Sequence, residues 1–247
     1  MGGGASGIGY ATAEHLARAR HRVVITGRRA EVLDAAASRL RERTGGRVRT
    51  LVNDVTDPDA ADAVVREFGA LDVVVLNAGG PPPGRILDIG DKQWQEAFEL
   101  LLLGPLRLAR LVLPGMAERG FGRVVFVTST AVRQPQLDLA ASVVLRSAVT
   151  AAAKLLSKEF AAEGVTVNCV APGATATGRR RGILDNRAEA TGRTYEELDA
   201  EDAAAIPAGR AGEPAEVGSA VAFLASDAAS YVNGTVLTVD GGRTETI

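Results

Sequence analysis

Cysteine, histidine, tryptophan and tyrosine are all scarce in this 247-residue chain, at one, two, one and three residues. The single cysteine, Cys169, excludes an internal disulfide and agrees with a reducing compartment. It sits in the apolar run 165–170 and reads as an inert, buried thiol. The two histidines, His15 and His21, flank the first helix candidate, and a metal site is not expected from them. Neither sign of charge dominates: 28 basic against 30 acidic residues leave a net charge of −2. That balance argues against a nucleic-acid or membrane-surface protein. No apolar stretch is read as reaching the ~20 residues that span a bilayer, and no signal peptide precedes the first motif. The expectation is a soluble cytoplasmic protein without nucleic-acid or membrane partners.

Glycine is abundant where it matters most. Gly2-Gly3-Gly4-Ala5-Ser6-Gly7-Ile8-Gly9 opens the chain and runs into a helical pattern over 10–20. Such glycines permit a tight turn and close approach of backbone to a phosphate, and the helix start presents free N–H groups. A turn of this kind normally follows a buried strand, yet only Met1 precedes it. The expectation is a fold lacking its first strand through a truncated reading frame, at a cost of several kcal/mol in unpaired ladder groups.

Further along, short β-branched runs at 22–26, 48–52, 71–76, 123–128, 165–170 and 235–239 alternate with helical patterns. The helices are expected at 10–20, 29–43, 58–68, 91–118, 139–162 and 214–224, with Pro58 and Pro214 as first-turn prolines. The strand runs are mostly continuous and apolar, as in a parallel sheet covered on both faces. With 46% hydrophobic residues, the chain is long enough for one α/β domain over 1–247: a Rossmann-type, doubly wound parallel sheet flanked by helices. Two segments interrupt the alternation. The loop 77–90 holds Gly79-Gly80-Pro81-Pro82-Pro83-Gly84. A polar insertion over 173–212 carries Arg179-Arg180-Arg181 and a short helix candidate at 195–205. Ligands bind beyond the carboxyl ends of parallel strands, so both should border the site, the insertion as a lid.

The glycine turn, Asn53-Asp54-Val55, Asn77-Ala78-Gly79, Ala171-Pro172-Gly173 with Thr177, and Val239-Asp240-Gly241-Gly242 together resemble the short-chain dehydrogenase/reductase family. The likeness is greatest to its bacterial 3-oxoacyl-acyl-carrier-protein-reductase-like members and spans the chain. It implies that Gly3, Gly7 and Gly9 wrap a dinucleotide pyrophosphate, with Ser6 and Ile8 also among the cofactor-binding residues, and that Asp54 and Val55 bracket the adenine. By the same resemblance Asn77, Ala78 and Gly79 line the adenosine ribose and neighbouring backbone, Thr177 meets the nicotinamide carboxamide, and Pro172 and Gly173 join the cofactor-binding residues. An alternative for Asp54 and Asn77 is ordinary turn chemistry at strand ends. Gly27 stands where an acidic residue would accept from a ribose 2′-OH, and Arg28 follows, so NADP(H) is favoured over NAD(H).

The resemblance weakens at the chemistry. The family places a Ser, a Tyr thirteen residues on, a Lys four after that, and an Asn on the preceding long helix. Here those positions carry Ser129, Ser142, Arg146 and Leu101. A serine hydroxyl is a far weaker acid than a phenol, and Arg146 cannot relay protons, although it can stabilise an oxyanion. Losing a positioned general acid costs about 10²–10⁴ in rate. Tyr195 in the lid and Asp138 before the helix are the available substitutes; Lys154 lies roughly 12 Å beyond Arg146 along the helix. Pro105 leaves the Leu101 carbonyl without a helical donor, so a bend is expected at Gly104-Pro105. The resemblance implies an oxidoreductase acting on a small carbonyl or alcohol, with Ser129, Ser142 and Arg146 as catalytic candidates, assembled as a homotetramer. A catalytically impaired dinucleotide-binding subunit is the alternative.

Overall fold

The computed structural model describes residues 1–246. Strands β1 (Val23–Gly27), β2 (Val48–Val52), β3 (Val73–Leu76), β4 (Gly122–Val127), β5 (Val165–Pro172) and β6 (Val236–Val239) all pair in parallel. Between them run α1 (Gly7–Arg18), α2 (Ala30–Thr44), α3 (Ala60–Phe68), α4 (Asp91–Phe98), α5 (Gly104–Glu118), α6 (Ala140–Glu159), α7 (Gly178–Thr191), α8 (Tyr195–Ala204) and α9 (Pro214–Leu224). Every residue of β4 and β5 is buried, which explains their unbroken apolar character. One core, on Ile25, Leu33, Leu40, Val125 and Val221, lies on one face. A second, on Leu113, Met116, Phe126, Val149 and Val167, lies on the other. Close approach of α1 and α9 rests on Gly218, where a Cβ would come within 2.9 Å of the Ala11 backbone.

The sheet is divided. β1 pairs only with β2, and β3 to β6 form a separate four-stranded ladder. The seam between β1 and β3 is bridged at one end by the glycine turn: Thr26 N–H donates to the Met1 carbonyl, Gly2 N–H to Val75, and Gly4 N–H to Thr26. Among the described residues no strand fills the rest of the seam. A 680 Å³ cavity runs along it past Arg22, Val24, Phe68 and Val73 and opens into the cleft beyond the strand ends.

Three features differ from the sequence reading. The 91–118 helix runs unbroken as expected but is not α-helical throughout: Glu99–Leu103 is a π-helical turn in which Gly104 N–H donates to the Glu99 carbonyl, five residues back. Gly104 and Pro105, where a bend was expected, open α5 directly after this turn. Gly104 is required there, since a Cβ would lie 2.2 Å from the Val55 carbonyl oxygen. The insertion holds two helices rather than one, because α7 precedes the expected α8. Finally, Asp91–Glu118 and Ala140–Glu159 are long and apolar enough to cross a bilayer by length and composition, which the sequence reading had excluded. Both lie against the sheet, with Leu113, Met116, Val149 and Ala153 buried.

Candidate active site

The glycine turn is built around backbone contact. Gly3 and Gly7 adopt φ of +58° and +52°, a left-handed region that L side chains rarely enter. Gly9 faces Gly3 so closely that a Cβ would lie 2.1 Å from its carbonyl oxygen. Asn77, at the end of β3, holds this turn by donating from Nδ2 to the Gly2 carbonyl at 3.1 Å. Its side chain is thus a brace for the turn, a contact across 75 residues of chain rather than a local strand-end turn. Ser6 is the N-cap residue of α1 in extended backbone, and the first-turn N–H groups beyond it open toward the cleft. A tight, side-chain-free turn at a helix start fits a dinucleotide pyrophosphate by shape and by dipole.

The cleft has two arms. One, continuous with the seam, is lined by Ser6, Gly27, Arg28, Asp54, Val55 and Ala78. Asp54 Oδ1 accepts from Thr56 N at 3.0 Å and Thr56 Oγ1 at 2.8 Å, so one carboxylate oxygen is committed to a local turn. Arg28 and Arg29 are exposed and join no ion pair among the described residues.

The other arm, of 520 Å³, gathers Gly3, Gly7, Ile8, Gly9, Gly79, Ser129, Ser142, Arg146, Pro172, Gly173 and Thr177 around one space. Gly173 packs so tightly on Asp240 that a Cβ would lie 2.6 Å from its Cβ, which places the β5 terminus beside the closing turn of the chain. Thr177 caps α7, accepting from Arg180 N at 3.3 Å. Ser129 Oγ accepts from Ala131 N at 3.1 Å, leaving its own proton free to donate.

Ser142 and Arg146 lie one turn apart on α6. Arg146 Nε donates to Ser142 Oγ at 3.2 Å, Nη1 to the Val127 carbonyl at 2.7 Å and Nη2 to the Ala78 carbonyl at 3.3 Å. The guanidinium is therefore pinned between β4, the β3 loop and its own helix. Burial, followed by the nearby Arg179 charge, lowers its pKa to about 10. Arg179 Nη2 donates to the Pro81 carbonyl at 2.6 Å, over Gly80, where a Cβ would lie 2.8 Å from that nitrogen.

Neither Tyr195 nor Asp138, the substitutes expected from the sequence, lines this arm. The Tyr195 ring stacks 4.7 Å from the Arg181 guanidinium and borders a separate cleft. Asp138 forms a 2.7 Å ion pair with Arg187 instead of facing the arm unpaired. Lys154 reaches the Gly234 carbonyl, away from the site. Leu101 is buried. Residues the sequence reading missed include Asp202, which joins Arg180 at 2.8 Å and Arg243 at 2.6 Å, tying the lid to the chain end. Forty-one residues separate Asp202 from Arg243, and no local pattern marks the pair.

Comparison with known proteins agrees with this geometry. Residues 3–244 match the family model described as enoyl-(acyl carrier protein) reductase. The 3-oxoacyl-acyl-carrier-protein reductase of Vibrio cholerae is 33% identical over 97% of this chain and 94% of its own. The cis-4-hydroxycyclohexanecarboxylate dehydrogenase of Sinomonas cyclohexanicum is 37% identical over 98% and 94%. Among solved structures, L-sorbose reductase from Gluconobacter frateurii complexed with NADPH and L-sorbose superposes with a TM-score of 0.94 at 32% identity, covering 100% of this chain and 96% of that one. Actinorhodin polyketide ketoreductase with NADPH gives 0.93 at 33%, covering 99% and 96%. With the parallel α/β fold and a glycine-turn cleft at the strand ends, this chain belongs to the short-chain dehydrogenase/reductase family of oxidoreductases.

Proposed function

We propose that this protein is an NADP(H)-dependent reductase of a small keto or acyl substrate, or the corresponding alcohol dehydrogenase, in which two serine hydroxyls replace a phenol. The observation that carries the reading is the convergence of Ser129, Ser142 and Arg146 on the arm that also receives the glycine turn. The turn holds the pyrophosphate, Asp54 and Val55 flank the adenine, and Thr177 meets the carboxamide. Bound in this way, the nicotinamide supplies or takes up the hydride. The preference for a 2′-phosphate rests on the exposed Arg28 after a side-chain-free Gly27. Relatives complexed with NADPH support the cofactor class.

The chain's own residues then act on the substrate oxygen. Ser129 Oγ already accepts from Ala131 N, so its proton is directed outward. Ser142 Oγ accepts from Arg146 Nε, so its proton is likewise available and polarised by the cation. The two hydroxyls donate to a developing alkoxide, and Arg146 stabilises that charge through Ser142. The proton that completes the alcohol comes from water, because no side chain here releases one readily at neutral pH. Turnover is accordingly slow, by about 10²–10⁴ relative to a phenol-bearing site.

A homotetramer is supported by apolar side chains left open on the outer helix faces, among them Leu111 on α5 and Val144 and Leu155 on α6. Light scattering on the purified chain tests the assembly. For the function, NADPH fluorescence titration comes first, then turnover with ketones and acyl thioesters. Binding with turnover that falls at least tenfold in Ser129→Ala supports the enzyme. Binding with no turnover on any of these leaves a dinucleotide-binding subunit, and no binding removes the proposal.

A further inference from the structure

The 520 Å³ arm carries more positive charge than its neighbours neutralise. Arg146, Arg179, Arg180, Arg187 and Arg243 border it, against Asp202 alone. Adding the acids that pair with them from just outside, Asp199 on Arg180 and Asp138 on Arg187, brings three aspartates against five arginines. The surplus is specific to two side chains. Among the described residues Arg180, Arg187 and Arg243 each hold a carboxylate, whereas Arg146 and Arg179 hold only carbonyl and hydroxyl oxygens.

These two are brought together by one loop. Arg146 donates to the Ala78 carbonyl and Arg179 to the Pro81 carbonyl, three residues along. Gly80 between them carries no side chain, and the space a Cβ would take is occupied by the Arg179 guanidinium, 2.8 Å away. Like charges held close in a partly dehydrated cleft repel, and a backbone carbonyl compensates a cation only in part. Burial, and after it the Arg179 charge, hold the Arg146 pKa near 10. An anion between them relieves that repulsion and meets planar donors suited to carboxylate oxygens. The pyrophosphate cradle of Gly3, Gly7 and Gly9 opens on the same arm, so NADPH affinity distinguishes a phosphate contact from a carboxylate contact at these arginines.

We propose that Arg146 and Arg179 form a carboxylate-binding subsite beside Ser129 and Ser142, so that the protein selects a keto acid or hydroxy acid over a neutral ketone or alcohol. This rests on the reading of the cleft as a reductase site and names its substrate class. In the reduction, the keto carbon would take a hydride from bound NADPH, which would leave as NADP⁺, while the C=O π pair moves to oxygen and water protonates that oxygen, leaving hydroxide. The carboxylate is unchanged and only anchors the molecule.

The probes are acetoacetate and its uncharged methyl ester, added to the protein with saturating NADPH and followed by nucleotide fluorescence and by thermal shift, with turnover measured alongside. Acetoacetate is expected to bind about ten- to a hundredfold more tightly than the ester. Arg179→Gln is expected to remove that margin while NADPH affinity stays within twofold. Arg179→Lys, which keeps the charge and loses the fork, should restore part of it. Equal binding of acid and ester overturns the subsite. So does a loss of NADPH affinity in Arg179→Gln as large as the loss for acetoacetate, because the arginine then answers the cofactor's phosphates. Should NADPH itself not bind, the reductase reading fails, and the subsite is judged by thermal shift with acetoacetate against the ester on the protein alone. A selective shift abolished by Arg179→Gln upholds it there, and no shift overturns it.

Discussion

Arg146 Nε donates to Ser142 Oγ at 3.2 Å, one helical turn away, so the guanidinium fixes the hydroxyl as an acceptor and frees its proton for a ligand. A lysine and a tyrosine at these positions would place a titratable phenol beside an ammonium. The double variant Ser142→Tyr with Arg146→Lys is therefore expected to raise turnover by about 10²–10⁴, with NADPH binding retained. A double variant that binds NADPH normally but reduces no substrate faster would mean that the arm is shaped for another oxygen geometry.

The π-helical turn depends on one glycine. A Cβ at Gly104 would meet the Val55 carbonyl at 2.2 Å, and backbone cannot swing away as a flexible side chain can. Gly104→Ala should cost about 1–3 kcal/mol, a fall of several degrees in Tm, and weaken NADPH binding through Val55. Gly115→Ala is the control on the same helix. Its nearest neighbour is the Arg119 side chain at 3.3 Å, so Tm should hold or rise. Equal Tm values for the two variants would contradict the close packing of α5 on the 53–57 loop.

Cofactor preference is expected to follow Arg28. Arg28→Ala should raise the Kd for NADPH about tenfold and leave NADH within twofold, since only the 2′-phosphate loses a charge-assisted partner. Gly27→Asp should reverse the preference by repelling that phosphate. Parallel fluorescence titrations with both nucleotides read the outcome, and equal losses for the two would place Arg28 outside the nucleotide site.

Cys169 is 1% exposed, and burial, the dominant influence on it, pushes its thiol up to about 12. At pH 8 it is protonated and inaccessible. A disulfide-exchange reagent should label less than a tenth of the native protein in an hour and one thiol per chain in guanidinium. Rapid native labelling would show that β5 opens.

The lid is fastened by Asp202, which bridges Arg180 and Arg243. Burial pushes the Asp202 pKa upward, but the bonds from Arg243 and Arg180 outweigh it and the carboxyl sits below its ordinary value. The folded protein therefore keeps this carboxylate charged where the unfolded chain begins to protonate it. Its stabilising contribution is complete above the unfolded value of 3.8 and is lost as pH falls below it. Hydrogen exchange in α7 and α8 should accelerate below pH 4 before the sheet loosens, and Asp202→Asn should give the same acceleration at pH 7. Unchanged exchange in that variant would assign the fastening to other contacts.

Much of this was legible before folding was considered. The strand at 48–52 and the helix at 214–224 coincide with their sequence patterns, since each is bounded by its own local signals. Helix α7 was not foreseen: only Leu184 is buried along it, so no apolar period announces it. The division of the ladder between β1 and β3 was anticipated from the absence of a strand pattern between Met1 and the glycine turn. The bridging of the seam by Met1 and Gly2 was not, because backbone partners leave no trace in residue type.

The amino-acid order alone determined the parallel α/β class, the glycine turn and the i,i+4 spacing of Ser142 and Arg146, since each depends on residue identity at short spacing. Only the tertiary structure decided that Arg146 and Arg179 share one loop without an acid between them, while Asp138 and Tyr195 are drawn to other arginines. Charge pairing depends on distances of a few ångströms between residues tens of positions apart, and those distances exist only once the chain has folded.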